Sequence, residues 1–336
     1  DTERVHSVGG NMATNYRVIG SEESPYSVKV RSYFRFKGID HQWMDRNEAG
    51  ELYQQHAKLP LIPLVVTPDD VGMQDSTPII EKMEETVAEP TVYPSDPLLR
   101  FVGDLLEEFG DEWGNKWMFH MRWAREVDQL AVSRRFAAGA PEGKVEEMAA
   151  TIRERMVPRV WFVGSNEITA PQIEQSLADA LGLLDAHLDG RSYVLGERPS
   201  MADFGLWGQI YNAGRDPTAG EMVAKHPSVL GWIERMLNPT VVGDFETWDA
   251  LRATLTPLIA DQVGSLFLPW SVANARAIEN GDDEFDVTLK GKRWTQKPQK
   301  YHARSLAALR RKYSAVSDRP DLSALMTETG CIDCLA

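Results

Sequence analysis

The 336-residue sequence predicts a small α/β domain followed by a long, nearly all-helical region. Three observations predict this. Over about 75 residues from Tyr16, short apolar runs and amphipathic stretches alternate in the order β-α-β-α-β-β-α. A proline-rich segment, Glu89 to Pro97, then interrupts the pattern. From Leu98 to Leu237 the periodicity is that of helices almost throughout.

Tyr16 to Ile19 is a short apolar run closed by Gly20, and the polar turn Ser21-Glu22-Glu23-Ser24 follows it. Pro25 suits the first turn of a helix, where its missing N–H leaves no bond unmade. Apolar Val28, Val30, Tyr33, Phe34 and Phe36 then alternate with Lys29, Arg31, Arg35 and Lys37 until Gly38 supplies a stop. Asp40 to Asp45 reads as a second strand and Glu51 to Ala57 as a short helix. Leu59 to Thr67 carries Pro60 and Pro63 and ends in a β-prone run; the turn Pro68-Asp69-Asp70 returns the chain into Val71 to Gln74, which makes a hairpin. Asp75-Ser76-Thr77-Pro78 opens a helix through Glu85, with Ser76 as N-cap and Pro78 in the first turn. This is short for a doubly wound sheet and suits a four-stranded thioredoxin-like domain, expected over residues 14–88.

A helical domain is expected over residues 98–240. Trp113, Trp117, Phe119, Met121 and Trp123 crowd one stretch of it, and Ser200-Met201-Ala202-Asp203 is a capping box with Pro199 and Phe204 placed for the staple contact. Residues 241–336 form an extension. In it Phe245 to Val263 and Leu266 to Ala277 read as helical, Asp286 to Gln296 as a hairpin turning at Lys290-Gly291, and Tyr301 to Tyr313 as a basic amphipathic helix. Left exposed, its apolar stretches and Trp270 and Trp294 would be an aggregation risk, so the extension is expected to pack on the helical domain and border a substrate pocket. The charged stretch Glu279 to Glu284 leaves a tethered tail as the rival reading.

The net charge of −14, from 36 basic and 50 acidic residues, argues against a nucleic-acid partner, which needs a basic face. No run reaches the ~18 apolar residues of a membrane span. Asp1 to Asn11 is polar and lacks the apolar core of a secretory signal, and Met12 would make a plausible natural start. The only cysteines, Cys331 and Cys334, sit near the end, so a disulfide framework is not expected and a cytoplasmic location is. Their spacing suits redox or zinc chemistry, but with two ligands only, tail packing is the favoured reading. The seven histidines show no metal-ligand spacing, and no metal is expected.

Four features, in this order, resemble the glutathione transferase superfamily: the strand leading to Ser24-Pro25-Tyr26 at a helix start, Ile62-Pro63 before a hairpin, Asp75-Ser76 at the next helix start, and the capping box Ser200 to Asp203 in an all-helical second domain. None is specific alone. The resemblance spans roughly Tyr16 to Leu237 and implies the glutathione transferase fold, here with an extra C-terminal extension, and a homodimer.

It also implies glutathione as co-substrate and a small, partly apolar electrophile as its partner. Ser24 is carried over as the hydroxyl that favours the thiolate. Pro63 is carried over as the family's cis-proline, Ile62 as the backbone partner of the cysteinyl moiety, and Asp75 and Ser76 as holders of the γ-glutamyl end. Trp113, Trp117 and His120 are candidates for the second-substrate pocket. Ser24 stands where omega-like members carry cysteine, which argues for transfer or lysis over thiol–disulfide exchange. Several alternatives stay open. Ser27 could be the hydroxyl instead, Ser24 could merely cap a helix, and the aromatics could be core. The chain could also be a non-catalytic module of this fold, or an ether or thioether lyase.

Overall fold

A computed structural model describes residues 15–336; the arm Asp1 to Asn11 and Met12 lie outside the described residues. The chain forms two compact units, one running to Glu89 and the other from Pro90 to Ala336.

The first unit follows the order β1 (Tyr16–Gly20), α1 (Pro25–Phe36), β2 (His41–Asp45), α2 (Gly50–His56), β3 (Leu64–Val66), β4 (Gly72–Gln74) and α3 (Ser76–Thr86). The strands make one four-stranded sheet in the order β2-β1-β3-β4. β1 and β2 pair in parallel across the α1 crossover, while β3 is antiparallel to both β1 and β4. β3 begins only after Pro60 and Pro63, neither of which can donate to a ladder. Ile19, Leu64 and Val66 bury one face of the sheet against Ala49 and Tyr53, and Val18 and Val65, one residue out of step, are buried on the other.

The second unit is helical apart from one hairpin. It contains α4 (Pro97–Phe109), α5 (Asn115–Ala124), α6 (Glu126–Phe136), α7 (Val145–Met156), α8 (Ala170–Leu188), α9 (Met201–Gly214), α10 (Pro217–Val223) and α11 (Pro227–Leu237). It continues through α12 (Trp248–Leu258), α13 (Leu268–Asn280), the strands β5 (Phe285–Leu289) and β6 (Lys292–Gln296), then α14 (Lys300–Ser314), α15 (Pro320–Glu328) and α16 (Ile332–Leu335). Wide π-helical turns at Gly110–Gly114 and Ile259–Phe267 join α4 to α5 and α12 to α13, where the sequence suggests plain helix.

α9 starts on its capping box, with Asp203 Oδ2 accepting from the Ser200 N–H at 2.8 Å. Its other oxygen accepts from the Val194 N–H at 2.8 Å and the Trp232 indole at 2.9 Å. Burial raises the Asp203 carboxyl pKa, and these donors oppose the rise. Helices α4 and α9 touch backbone to backbone. A Cβ on Gly110 would lie 2.5 Å from the Gly205 carbonyl carbon, and one on Gly205 would lie 2.7 Å from Glu107 Cα.

Residues beyond 240 share this unit's interior. Trp270 and Trp294 are fully buried, with ring centroids 5.9 Å and 5.2 Å from that of Trp113. The basic run on α14 is not a wholly solvated face. Leu306, Leu309 and Tyr313 are buried, Lys312 lies 3.3 Å from Asp104, and Arg310 Nε donates to the Cys334 carbonyl at 2.9 Å. Cys331 is a buried free thiol beside Thr329, and burial pushes its pKa up to about 11.

Candidate functional site

The register of the sheet assembles a candidate site in the first unit. Ile19 lies opposite Leu64, and Leu64 opposite Gln74, so these three residues form one row across the sheet. β4 ends at that row and β1 one residue past it, at Gly20, while β3, antiparallel to both, begins there. The segments beyond it emerge at one end of the sheet: Gly20 to Ser24, Ile62-Pro63, and Asp75-Ser76. The chain separates these pieces by up to about 50 residues, and strand pairing alone gathers them.

Ser24 is the N-cap of α1, extended at φ −104° and ψ 114°, and partly exposed. Its Oγ accepts from the Ser27 N–H at 3.3 Å. That bond uses a lone pair and leaves the hydroxyl proton to donate elsewhere. Ser27 is fully buried, and its Oγ meets no hydrogen-bond partner among the described residues. A Cβ on Gly20 would lie 2.6 Å from Ser27 Cβ and 2.8 Å from the Trp43 ring, so glycine is what lets strand and helix close over that serine. Of the two serines, Ser24 is the one with surface exposed to solvent.

The Ile62–Pro63 peptide is cis, with Ile62 partly exposed and Pro63 buried. Asp75 precedes α3 at φ 76° and ψ 126°, a conformation an L side chain adopts at a cost of about 1–3 kcal/mol. It is exposed, whereas Ser76, the first residue of α3, is buried. An 11-residue helix thus begins at the same sheet end as the Ser24 turn, and its dipole favours an anion there.

Trp113, Trp117 and His120 belong to the interior of the second unit and are 0%, 1% and 2% exposed. Both indoles donate to Ser176 Oγ, at 2.8 Å and 2.9 Å, and Ser176 in turn donates to Gln262 Oε1 at 2.7 Å. His120 Nδ1 lies 2.8 Å from Ser165 Oγ and its Nε2 3.0 Å from Glu174, which pairs with Arg125 at 2.7 Å. Burial lowers the His120 pKa against the opposing pull of Glu174. A serine, a histidine and a carboxylate in line resemble a hydrolytic relay, but nearby amides are taken. The Ser165 N–H donates to the Val160 carbonyl, and the Asn166 N–H to Thr169 Oγ1. Neither of these two amides is left to serve as an oxyanion donor. As interior side chains with partnered polar atoms, these three residues hold the unit together and present almost no surface to a ligand.

One pattern in that interior escapes a reading for pockets. Asp104, Glu108, Glu112, Lys116 and His120 recur every fourth residue and are all buried. Glu112 contacts His302 and accepts from Ser305 at 2.7 Å. Lys116 donates to the Val163 carbonyl at 3.1 Å, and its ammonium lies 3.7 Å from the Trp270 ring centroid, 5.5 Å from Trp113 and 5.6 Å from Trp294. Burial holds the Lys116 pKa well below the usual lysine range. The fourfold spacing is visible in the sequence; its partners, 50 to 200 residues away, are not.

A family model described as the N-terminal domain of glutathione S-transferase matches residues 23–86, and one described as the C-terminal domain matches residues 142–235. No curated protein matches the chain significantly. Among solved structures, the β-etherase LigF from Sphingobium sp. is 17% identical over 66% of this chain and 95% of its own, with a TM-score of 0.49. A glutathione S-transferase from Methylobacillus flagellatus with glutathione bound is 18% identical over 66% of this chain and 95% of its own, with a TM-score of 0.41. A glutathione S-transferase from Methylobacterium radiotolerans in complex with glutathione sulfonate is 19% identical, covering 70% and 98%, with a TM-score of 0.42. The first match contains Ser24, Ile62, Pro63, Asp75 and Ser76, the second contains the capping box, and the chain belongs to the glutathione S-transferase superfamily.

Proposed function

We propose that the chain is a glutathione-dependent transferase in which Ser24 stabilises the thiolate for attack on a small, partly apolar electrophile. The observation that carries this reading is the convergence of the Ser24 turn, Ile62-Pro63 and Asp75-Ser76 at one end of the sheet. A free thiol with pKa ~8.5 is mostly protonated at neutral pH. Bringing it down by about two pH units requires about 2.7 kcal/mol of preferential thiolate stabilisation. The Ser24 hydroxyl proton, with the start of α1 beneath it, supplies a donor and a favourable dipole.

At the other end of the tripeptide, the Ser76 N–H and hydroxyl suit the γ-glutamyl carboxylate, and Asp75 suits the ammonium. Between them the Ile62 N–H and C=O pair with the cysteinyl backbone as one added strand residue would. Trp113, Trp117 and His120 act as the frame of the helical unit. The test is retention on immobilised glutathione, followed by turnover of a panel of electrophiles that includes an aryl ether. Folded protein that neither binds glutathione nor consumes it with any electrophile would overturn the proposal.

A further inference from the structure

We propose that Gln74 is a positioning residue for glutathione, aiming the Ile62 N–H and joining it to the Asp75-Ser76 turn. The inference rests on reading Ile62, Asp75 and Ser76 as the glutathione clamp. Gln74 is the last residue of β4, and the next residue is Asp75. Its side-chain amide uses its full bonding capacity on the segment that leads into Ile62. Oε1 accepts from the Lys58 N–H at 2.8 Å and from the Leu59 N–H at 3.0 Å. Nε2 donates to the Leu59 carbonyl and to the Leu61 carbonyl, both at 2.9 Å. From the other side Tyr53 Oη lies 3.1 Å and 2.9 Å from the same two carbonyls and shares its single proton between them.

The Leu61 carbonyl and the Ile62 N–H belong to one planar trans peptide and point in opposite directions. Whatever anchors the carbonyl therefore aims the N–H. Side-chain packing does little of this work, because Leu59 and Leu61 are each 54% exposed. Gln74 thus connects the two halves of the clamp through a single rigid amide. One half is the donor before Pro63, and the other is the turn that starts α3.

The experiment is calorimetric titration of the full chain with glutathione and with γ-glutamylcysteamine, which has no cysteinyl carbonyl for Ile62 to meet, with melting curves recorded alongside. Gln74→Ala should weaken glutathione about 5- to 30-fold while leaving γ-glutamylcysteamine within about twofold. Gln74→Glu keeps the acceptor half and removes both donors, so it should lose at least as much; Tyr53→Phe should lose less. Should Gln74→Ala fail to fold, these two variants carry the same comparison. Gln74 variants that bind glutathione like the parent, or that lose both ligands equally, would overturn this inference alone. A parent protein that binds no glutathione would overturn the clamp reading and this inference with it.

Discussion

Replacing Ser176 with alanine tests how the second unit is held together. The substitution removes one oxygen and scarcely changes the packing volume, so its effect is almost wholly polar. Two indole N–H groups and the Gln262 carbonyl oxygen depend on that hydroxyl, at 2.7 to 2.9 Å, in an interior where Ser176 is 2% exposed. Each buried group left without a partner costs about 1–3 kcal/mol. Three of them give a loss of about 3–6 kcal/mol after some local relaxation, a large fraction of the roughly 5–15 kcal/mol that keeps a domain folded. Urea denaturation followed by far-ultraviolet circular dichroism reads the helical unit directly, and the midpoint should fall steeply at unchanged slope. A loss below about 1 kcal/mol would mean that the three groups find other partners and that the serine is no hub.

Four further outcomes follow from the geometry. Ser24→Ala should lower turnover by about 10- to 1000-fold with a far smaller change in glutathione affinity, whereas Ser27→Ala should leave turnover near the parent's; steady-state kinetics with the best electrophile decides, and the reverse pattern would reassign the donor. Ser76→Ala should weaken glutathione by about 1–3 kcal/mol by calorimetry, and unchanged affinity in a folded variant would move the γ-glutamyl site elsewhere. His187 is buried between Thr254 Oγ1 and the Val194 carbonyl, and burial lowers its pKa from 6.5 to about 4. The unfolded chain therefore binds a proton that the native state refuses, and stability falls as pH drops from 6.5 to about 4, by about 3 kcal/mol in all; His187→Gln should flatten that part of the stability profile, and an unchanged slope would exclude His187 as its source. Deleting residues from Val241 onward strips Trp113, Lys116 and Glu112 of Trp270, Trp294 and His302, so the truncated chain should be insoluble or non-cooperative in melting; a soluble truncation melting like the parent would refute this.

The sequence and the structure agree best where local chemistry decides. Pro25 in the first turn of α1, the β3–β4 hairpin, the turn at Lys290-Gly291 and the capping box at Ser200 each follow from residues within a few positions of one another. The Ser24, Ile62-Pro63 and Asp75-Ser76 pieces are legible too, because each sits at an element boundary marked by proline or a capping residue. The difference in exposure between Ser24 and Ser27 was not legible, since it turns on Gly20 and Trp43 closing over one hydroxyl. Nor was the fate of Trp113, Trp117 and His120. Their spacing fits a core as well as a pocket wall, and Ser176, Gln262 and Glu174 lie far along the chain. Charged residues at fourfold spacing resemble a solvated helix face until distant partners cover them.

The link between Glu112 and Ser305 spans 193 residues, and it carries a consequence for synthesis. At about 5–20 residues per second, a ribosome needs about 10–40 s to travel that distance. Early in that interval Glu112 and Lys116 have been made, and Trp270, Trp294 and His302, which lie against them, have not. The four strands of the first unit's sheet pair with one another and all precede Glu89. The nascent chain thus carries all of the first unit's sequence and an unfinished second unit whose ionisable row still faces water. A chain released before residue 294 would lack the Trp294 and His302 side chains that lie against Lys116 and Glu112.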